Sequence, residues 1–157
     1  MSDAAAREIL IEGARALAHI DGLDAGLQRL LDVLAEQFEV ASAVVFTVDG
    51  HPDRLEIAAS VGLDERTGAG LVAAVANPDH PIARTVASPV ATFDVLPTAP
   101  GGPALRSHLP LIVRREQADV VVGVLALAHD RPIEPVVRPL VLAGADLAAI
   151  AIERLRS

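Results

Sequence analysis

The chain has 157 residues, 52% of them apolar, with no cysteine, tryptophan or tyrosine and only three phenylalanines, so it is long and aliphatic enough to bury one core without a disulfide or metal staple. Zero cysteine excludes thiolate catalysis, zinc-thiolate and iron-sulfur sites, and any thioether-linked chromophore. The formal charge of −8 sets 21 carboxylates against 13 scattered basic residues, all of them arginine, which argues against binding a phosphate backbone.

Met1 to Ala6 lacks the basic start and apolar stretch of a secretory signal, so the expected location is cytoplasmic. The uncharged apolar run Val120 to Ala128 falls well short of the roughly 20 apolar residues of a membrane span. The mean hydropathy of +0.42 therefore belongs to a packed interior. In chain order, Asp3 to about Ile20 places Leu10, Ala14, Leu17 and Ala18 on one helical face, with Asp3 as N-cap and Gly22 as terminator. Leu23 to Phe38 forms the clearest helix, its stripe made of Leu27, Leu30, Leu31, Leu34 and Phe38. Ala41 to Val48 is short and β-branched and ends in Asp49-Gly50-His51-Pro52-Asp53, a strand and a turn. In Leu55 to Val61 the alternation puts Leu55, Ile57, Ala59 and Val61 on one face.

Gly62 to Pro89 is expected to be irregular, with short helices over Leu71 to Ala76 and Ile82 to Ala87 broken by Pro78 and Pro81. Pro89 to Phe93 is a short third strand, and Val95 to Pro103 a Pro/Gly loop. Leu109 to Arg115 and Asp119 to His129 make a hairpin about Glu116-Gln117, the second strand apolar on both faces and hence central. A last helix, starting near Pro139, carries Leu140, Ala143, Leu147, Ile150, Ala151 and Leu155 on one side. The order predicts an α+β domain, an antiparallel sheet with the terminal helices on one face. The segments 62–89 and 92–107 are left to roof the other face, where a small-molecule cavity is expected.

This order, from about Leu23 to Leu155, resembles a GAF domain. The stretches that carry the likeness are ASAVVFTVD (41–49), LEIAASVGL (55–63), HPIARTVASPVATFDV (80–95), ALRSHLPLIV (104–113) and VVGVLALAH (121–129). The resemblance implies a PAS-like sheet with a ligand pocket on one face, a sensory or regulatory role, and a homodimer formed through the terminal helices. Residues 1–22 would then be an added helix available for dimerisation and 23–157 the GAF-like domain. Without cysteine the chain has neither the bilin attachment nor the methionine-sulfoxide reductase chemistry of some members, and without lysine it lacks the Asn-Lys-Phe-Asp-Glu signature of cyclic-nucleotide binders. With no output domain in the sequence, signalling is expected to pass to a separate partner.

The pocket is expected to draw on Phe46, Leu71, Val75, His80, Arg84, Phe93, Asp94, Arg106, His108 and Leu111. His80 and His108 could hydrogen-bond a ligand or ligate a haem iron, or simply bond loop backbone, and no cofactor is expected. Arg84 and Arg106 could hold a carboxylate or phosphate with Asp94 fixing the fork, or Asp94 could pin the loop by a salt bridge to one of them. Gly68-Ala69-Gly70-Leu71-Val72-Ala73, with Asp94 farther on, matches a dinucleotide fingerprint only in spacing, because no doubly buried strand directly precedes it. It is read as loop over the pocket. His19 and His51 are expected to be solvated. Ser107 and His108 are neighbours in sequence and Gly-x-Ser-x-Gly is missing, so no triad is signalled and no catalytic residue is assigned. The leading expectation is a module that binds a small apolar or anionic metabolite. The alternatives are a small enzyme using His80 or His108 as base with Arg84 or Arg106, and a dimerisation module without a ligand.

Overall fold

A computed structural model describes residues 7–8, 11, 23–49, 54–97 and 101–156. From residue 23 on, the described residues form four helices and five strands in the order α1 (Leu23–Gln37), β1 (Ser42–Asp49), β2 (Arg54–Val61), α2 (Glu65–Val75), α3 (Pro81–Ala87), β3 (Thr92–Val95), β4 (Leu105–Arg115), β5 (Ala118–His129) and α4 (Arg138–Arg156). Every neighbouring pair in the sheet is antiparallel, in the spatial order β2-β1-β5-β4-β3. The strand expected to be central, β5, is the middle one.

Helices α1 and α4 cover one face. The α1 stripe of Leu27, Leu30, Leu31 and Leu34 is buried as its spacing predicts, against Val45, Leu109, Leu125 and Leu127 of the sheet. The helix ends without glycine: Glu39 takes the left-handed conformation (φ 52°) and the Val40 amide donates to the Ala35 carbonyl, 3.1 Å away. Phe38 falls in the turn after the helix but still packs on this core. Of the α4 face expected, Ala151 is buried and Leu147 packs on the core, but the rest of the buried face is Val141, Gly144, Ala145, Ala148, Ala149 and Ile152. Ile150 and Leu155 are exposed. Close approach decides this, because a Cβ on Gly144 would lie 2.6 Å from Cδ2 of Leu34. The face that packs tightest is the small one, whereas a reading by hydrophobic size selects its neighbour.

Two bulges set which residues meet which layer. Val45 pairs with Ala59 and Phe46 with Ile57, so Ala58 is an extra residue in β2. Consequently Leu55 and Ile57 face α2 and α3 while Ala59 and Val61 join the α1/α4 core, correcting the single alternating face expected for this strand. In β5 the step from Gly123 to Val121 opposite Leu111 and Ile112 leaves Val122 as the extra residue. Gly123 is required there, since a Cβ would come within 2.1 Å of the Phe46 carbonyl oxygen. The surface ties are few: Arg115 makes a bidentate pair with Glu153 at 3.1 and 2.5 Å, and Arg156 donates to the Val48 carbonyl.

The helix expected over Asp3 to Ile20 lies outside the described residues save for Arg7, Glu8 and Ile11, which are helical and exposed. The expected turn about Gly50-His51-Pro52-Asp53 and the position of His19 lie outside them too. No helix among the described residues is long and apolar enough to cross a membrane.

Candidate functional site

The segment 62–89 is more regular than its composition indicates. Asp64 caps α2, its carboxylate accepting the Thr67 amide hydrogen at 2.7 Å, and this bond holds the carboxyl below its ordinary pKa. Gly68 and Gly70 lie inside α2, so the glycine pair forms neither a phosphate turn nor the loop expected over the pocket. Gly68 is buried against Leu63 and Ile57. The prolines act as foreseen: the chain breaks between the helices and α3 restarts with Pro81 in its first turn.

His80 is the N-cap of α3. Its Nδ1 accepts the Ile82 amide hydrogen at 3.1 Å, which leaves Nε2 carrying the proton in the neutral ring, and partial burial lowers its pKa. Beneath α3, Phe46, Val44, Val124 and Ala126 of the sheet pack with Val75 and Ile82, and Leu71 joins from the margin. His108 of β4 lies on this same face and is only 5% exposed. Burial first, and then the charges of His80 and Arg106, push its pKa down to about 4, so it is neutral at physiological pH. Among the described residues it has no hydrogen-bond partner. No fully buried side-chain nitrogen or oxygen lacks one, so the ring nitrogens of His108 must keep a small contact with accessible space.

Two strand positions earlier, Arg106 is half-buried. Its Nη1 donates to the carbonyls of Pro103 (2.6 Å) and Leu105 (3.0 Å). Between these residues and β1 the floor is short: Ala126 lies opposite His108, Ala128 opposite Arg106, and Ser42 opposite Ala128. Arg84 is exposed on α3.

Three members of the expected pocket lie elsewhere. Leu111 is fully buried in the α1/α4 core, placed there by the pleat of β4. Phe93 packs against that same core with the Arg138 guanidinium 4.9 Å from its ring centroid. Asp94, in the left-handed region at φ 58°, turns its carboxylate to the Ile133 amide (2.8 Å) and to Arg138 (3.0 Å). The salt bridge weighed for Asp94 therefore exists, but with Arg138 rather than Arg84 or Arg106. Segment 92–95 forms the sheet edge instead of roofing the sheet, which is why these side chains change sides.

Around Asp94 runs a polar network that the sequence did not announce. The Asp94 amide donates to Ser107 Oγ (3.1 Å), and Ser107 lies 2.8 Å from His129 Nε2. His129 Nδ1 is 2.7 Å from the Arg131 carbonyl, which can only accept, so Nδ1 carries the proton and Nε2 takes the serine hydrogen. Ser107 is 0% exposed and His129 is 2%, and the contact fastens β4 to β5. The residues lie 22 positions apart with no spacing motif, and only strand pairing brings them together. An open cleft of about 330 Å³ lies nearby, between Phe38 and Glu39 after α1 and the Arg131–Glu134 segment, and contains none of the expected pocket residues. Among the described residues no group of three acidic or histidine side chains could hold a metal ion.

A central antiparallel sheet with long helices on one side and short capped helices on the other defines an α+β domain. The GAF domain family matches residues 23–154, and the chain belongs to that family, whose members are typically small-molecule-binding modules of signalling proteins. Its fold is shared by the GAF domain of a phosphoenolpyruvate-protein phosphotransferase from Coxiella burnetii, at 14% identity and TM-score 0.75 over 99% of this chain and 97% of that one. It is shared also by a free methionine-R-sulfoxide reductase from Neisseria meningitidis solved with its substrate, at 16% identity and TM-score 0.72 over 99% and 94%. The second GAF domain of DevS from Mycobacterium smegmatis aligns at 20% identity and TM-score 0.60 over 83% and 93%. At these identities the likeness establishes fold alone. No curated protein sequence is significantly similar to the chain.

Proposed function

We propose that the chain is a sensory module that binds a small molecule between the α3 roof and the β4–β5 floor, and that it works as a homodimer acting on a separate partner. The observation that carries this reading is His108, a 95% buried imidazole with no hydrogen bond from the described residues. Its ring nitrogens meet accessible space without a bond from the described residues, so a ligand entering there finds a directed hydrogen-bonding group to engage.

The ladder offers a route for the signal. Thr92 and Val95 of β3 pair with His108 and Arg106, and Asp94 between them grips Ile133 and Arg138 at the start of α4. A shift of β4 under a ligand would thus be felt where α4 begins. For the dimer, support comes from Leu142, Ile150 and Leu155, which α4 leaves exposed.

Native mass spectrometry of freshly purified protein, followed by thermal melts with a metabolite pool, tests the proposal. The expected result is a dimer that carries or accepts a small molecule and melts higher with it, since a ligand selective for the native state raises stability by RT ln(1 + [L]/Kd). A monomer whose melting no metabolite moves would overturn it. Consumption of the bound molecule would instead favour a small enzyme with neutral His108 as base.

A further inference from the structure

Among the described residues only two arginines are not exposed, Arg106 and Arg138. They are treated differently. Arg138 has Asp94 at 3.0 Å and the Phe93 ring beneath it. Among the described residues Arg106 has no carboxylate within 4.0 Å, in a chain where acids outnumber bases 21 to 13. Its guanidinium is nevertheless held, by two backbone carbonyls that both engage Nη1. Nε and Nη2 have no acceptor among the described residues. Carbonyls orient a guanidinium without neutralising it, so Arg106 offers a positive charge and a pre-oriented edge of the fork. It does so on the roof face, two positions from His108, over a floor of Ala126, Ala128 and Ser42 whose short side chains leave height above the strands.

Resting on the binding reading above, we infer that the ligand is an anion: Arg106 takes a carboxylate or phosphate group through Nε and Nη2, and His108 hydrogen-bonds a neutral polar group beside it. A carboxylate and a phosphate both match the fork, because each presents two oxygens at the spacing of adjacent guanidinium donors. An anion is favoured at Arg106 although the chain as a whole, at a net charge of −8, repels one.

The test titrates the full chain, at constant ionic strength and pH 7.5, with three probes: sodium phosphate, sodium acetate and neutral acetamide. The readouts are the arginine Nε–Hε and histidine ring resonances. A saturable shift of the Arg106 Nε signal and the His108 ring with phosphate or acetate is expected, and which of the two saturates first names the anion. Arg106→Gln should weaken that binding about ten- to hundredfold, the loss of a charge-assisted bond. Arg66→Gln, on the exposed side of α2, should leave it unchanged. Arg106→Lys keeps the charge and loses the fork, so it should fall between; and if either Arg106 variant fails to fold, the wild-type titration alone decides. Movement of the His108 ring by acetamide, with Arg106 unmoved by either oxyanion, would overturn the anion inference and leave the binding reading standing. Silence of both residues to all three probes would overturn both.

Discussion

The two faces of the sheet solve the problem of buried polarity in opposite ways. On the α1/α4 face Asp94, Ser107, His129 and Arg138 bond one another and the backbone of the segment leading into α4. On the α2/α3 face, among the described residues, His108 has no hydrogen bond and Arg106 has no counter-charge. Both faces also have an apolar cluster, but the first includes two long helices packed through small residues and the second two short ones. The lesson is a division of labour. Satisfied networks and close helix packing hold the domain together, and the less-bonded groups under the short capped helices are the ones the proposed ligand would engage.

The largest expected effect tests the packing half of this contrast. Leu125→Ala empties a fully buried site in the α1/α4 core and should cost about 2–5 kcal/mol by urea denaturation. A loss below about 1 kcal/mol would mean that the core collapses around the gap and that the face is looser than its burial indicates.

Next in size is a pH effect that belongs to the other face. The folded-state pKa of His108 is lowered from 6.5 to about 4, mainly by burial, so the unfolded chain takes up this proton first. Stability from this source is complete above about pH 6.5 and is lost as pH falls toward 4, amounting to about 2 kcal/mol between pH 7.5 and 5. The lowered pKa of His80 acts in the same direction, and Arg106 is the fixed charge beside them. In His108→Gln the slope of stability against pH over this range should flatten. An unchanged slope would place the titration elsewhere and remove the contrast between the faces.

The smallest effect probes the network. Asp94→Asn removes the charge opposite Arg138 at a partly exposed site, so about 1 kcal/mol is expected rather than the larger cost of a deeply buried pair. Amide exchange at Ile133, which donates to Asp94, should speed up while the β1–β5 amides stay slow. Uniform acceleration throughout the sheet would show that the network supports the whole fold rather than the entry to α4.

Much of the architecture was legible in one dimension. The α1 stripe, the centrality of β5, the Glu116-Gln117 turn and the two prolines that split α2 from α3 each rest on a local rule of periodicity or backbone geometry, and each holds. Of the expected pocket, Phe46, Leu71, Val75, His80 and His108 do come together on one face with Arg106 nearby. Local rules fail where a single residue changes the register. Ala58 and Val122, as bulges, exchange the faces of the residues beyond them, and no feature of either residue type announces it.

What the sequence by itself determined is therefore the set of elements, their order, and the chemistry denied to a chain without cysteine or lysine. Which polar groups are answered and which are left waiting was decided only in three dimensions. Asp94 lies closer in sequence to Arg84 and Arg106 than to Arg138, 44 positions away, yet the edge position of β3 turns it to the other face and gives it to Arg138. That same turn leaves Arg106 without a counter-charge among the described residues. The physical reason is that side-chain pairing depends on which face of a strand a residue occupies, and the face is set by register and bulges summed over the whole sheet.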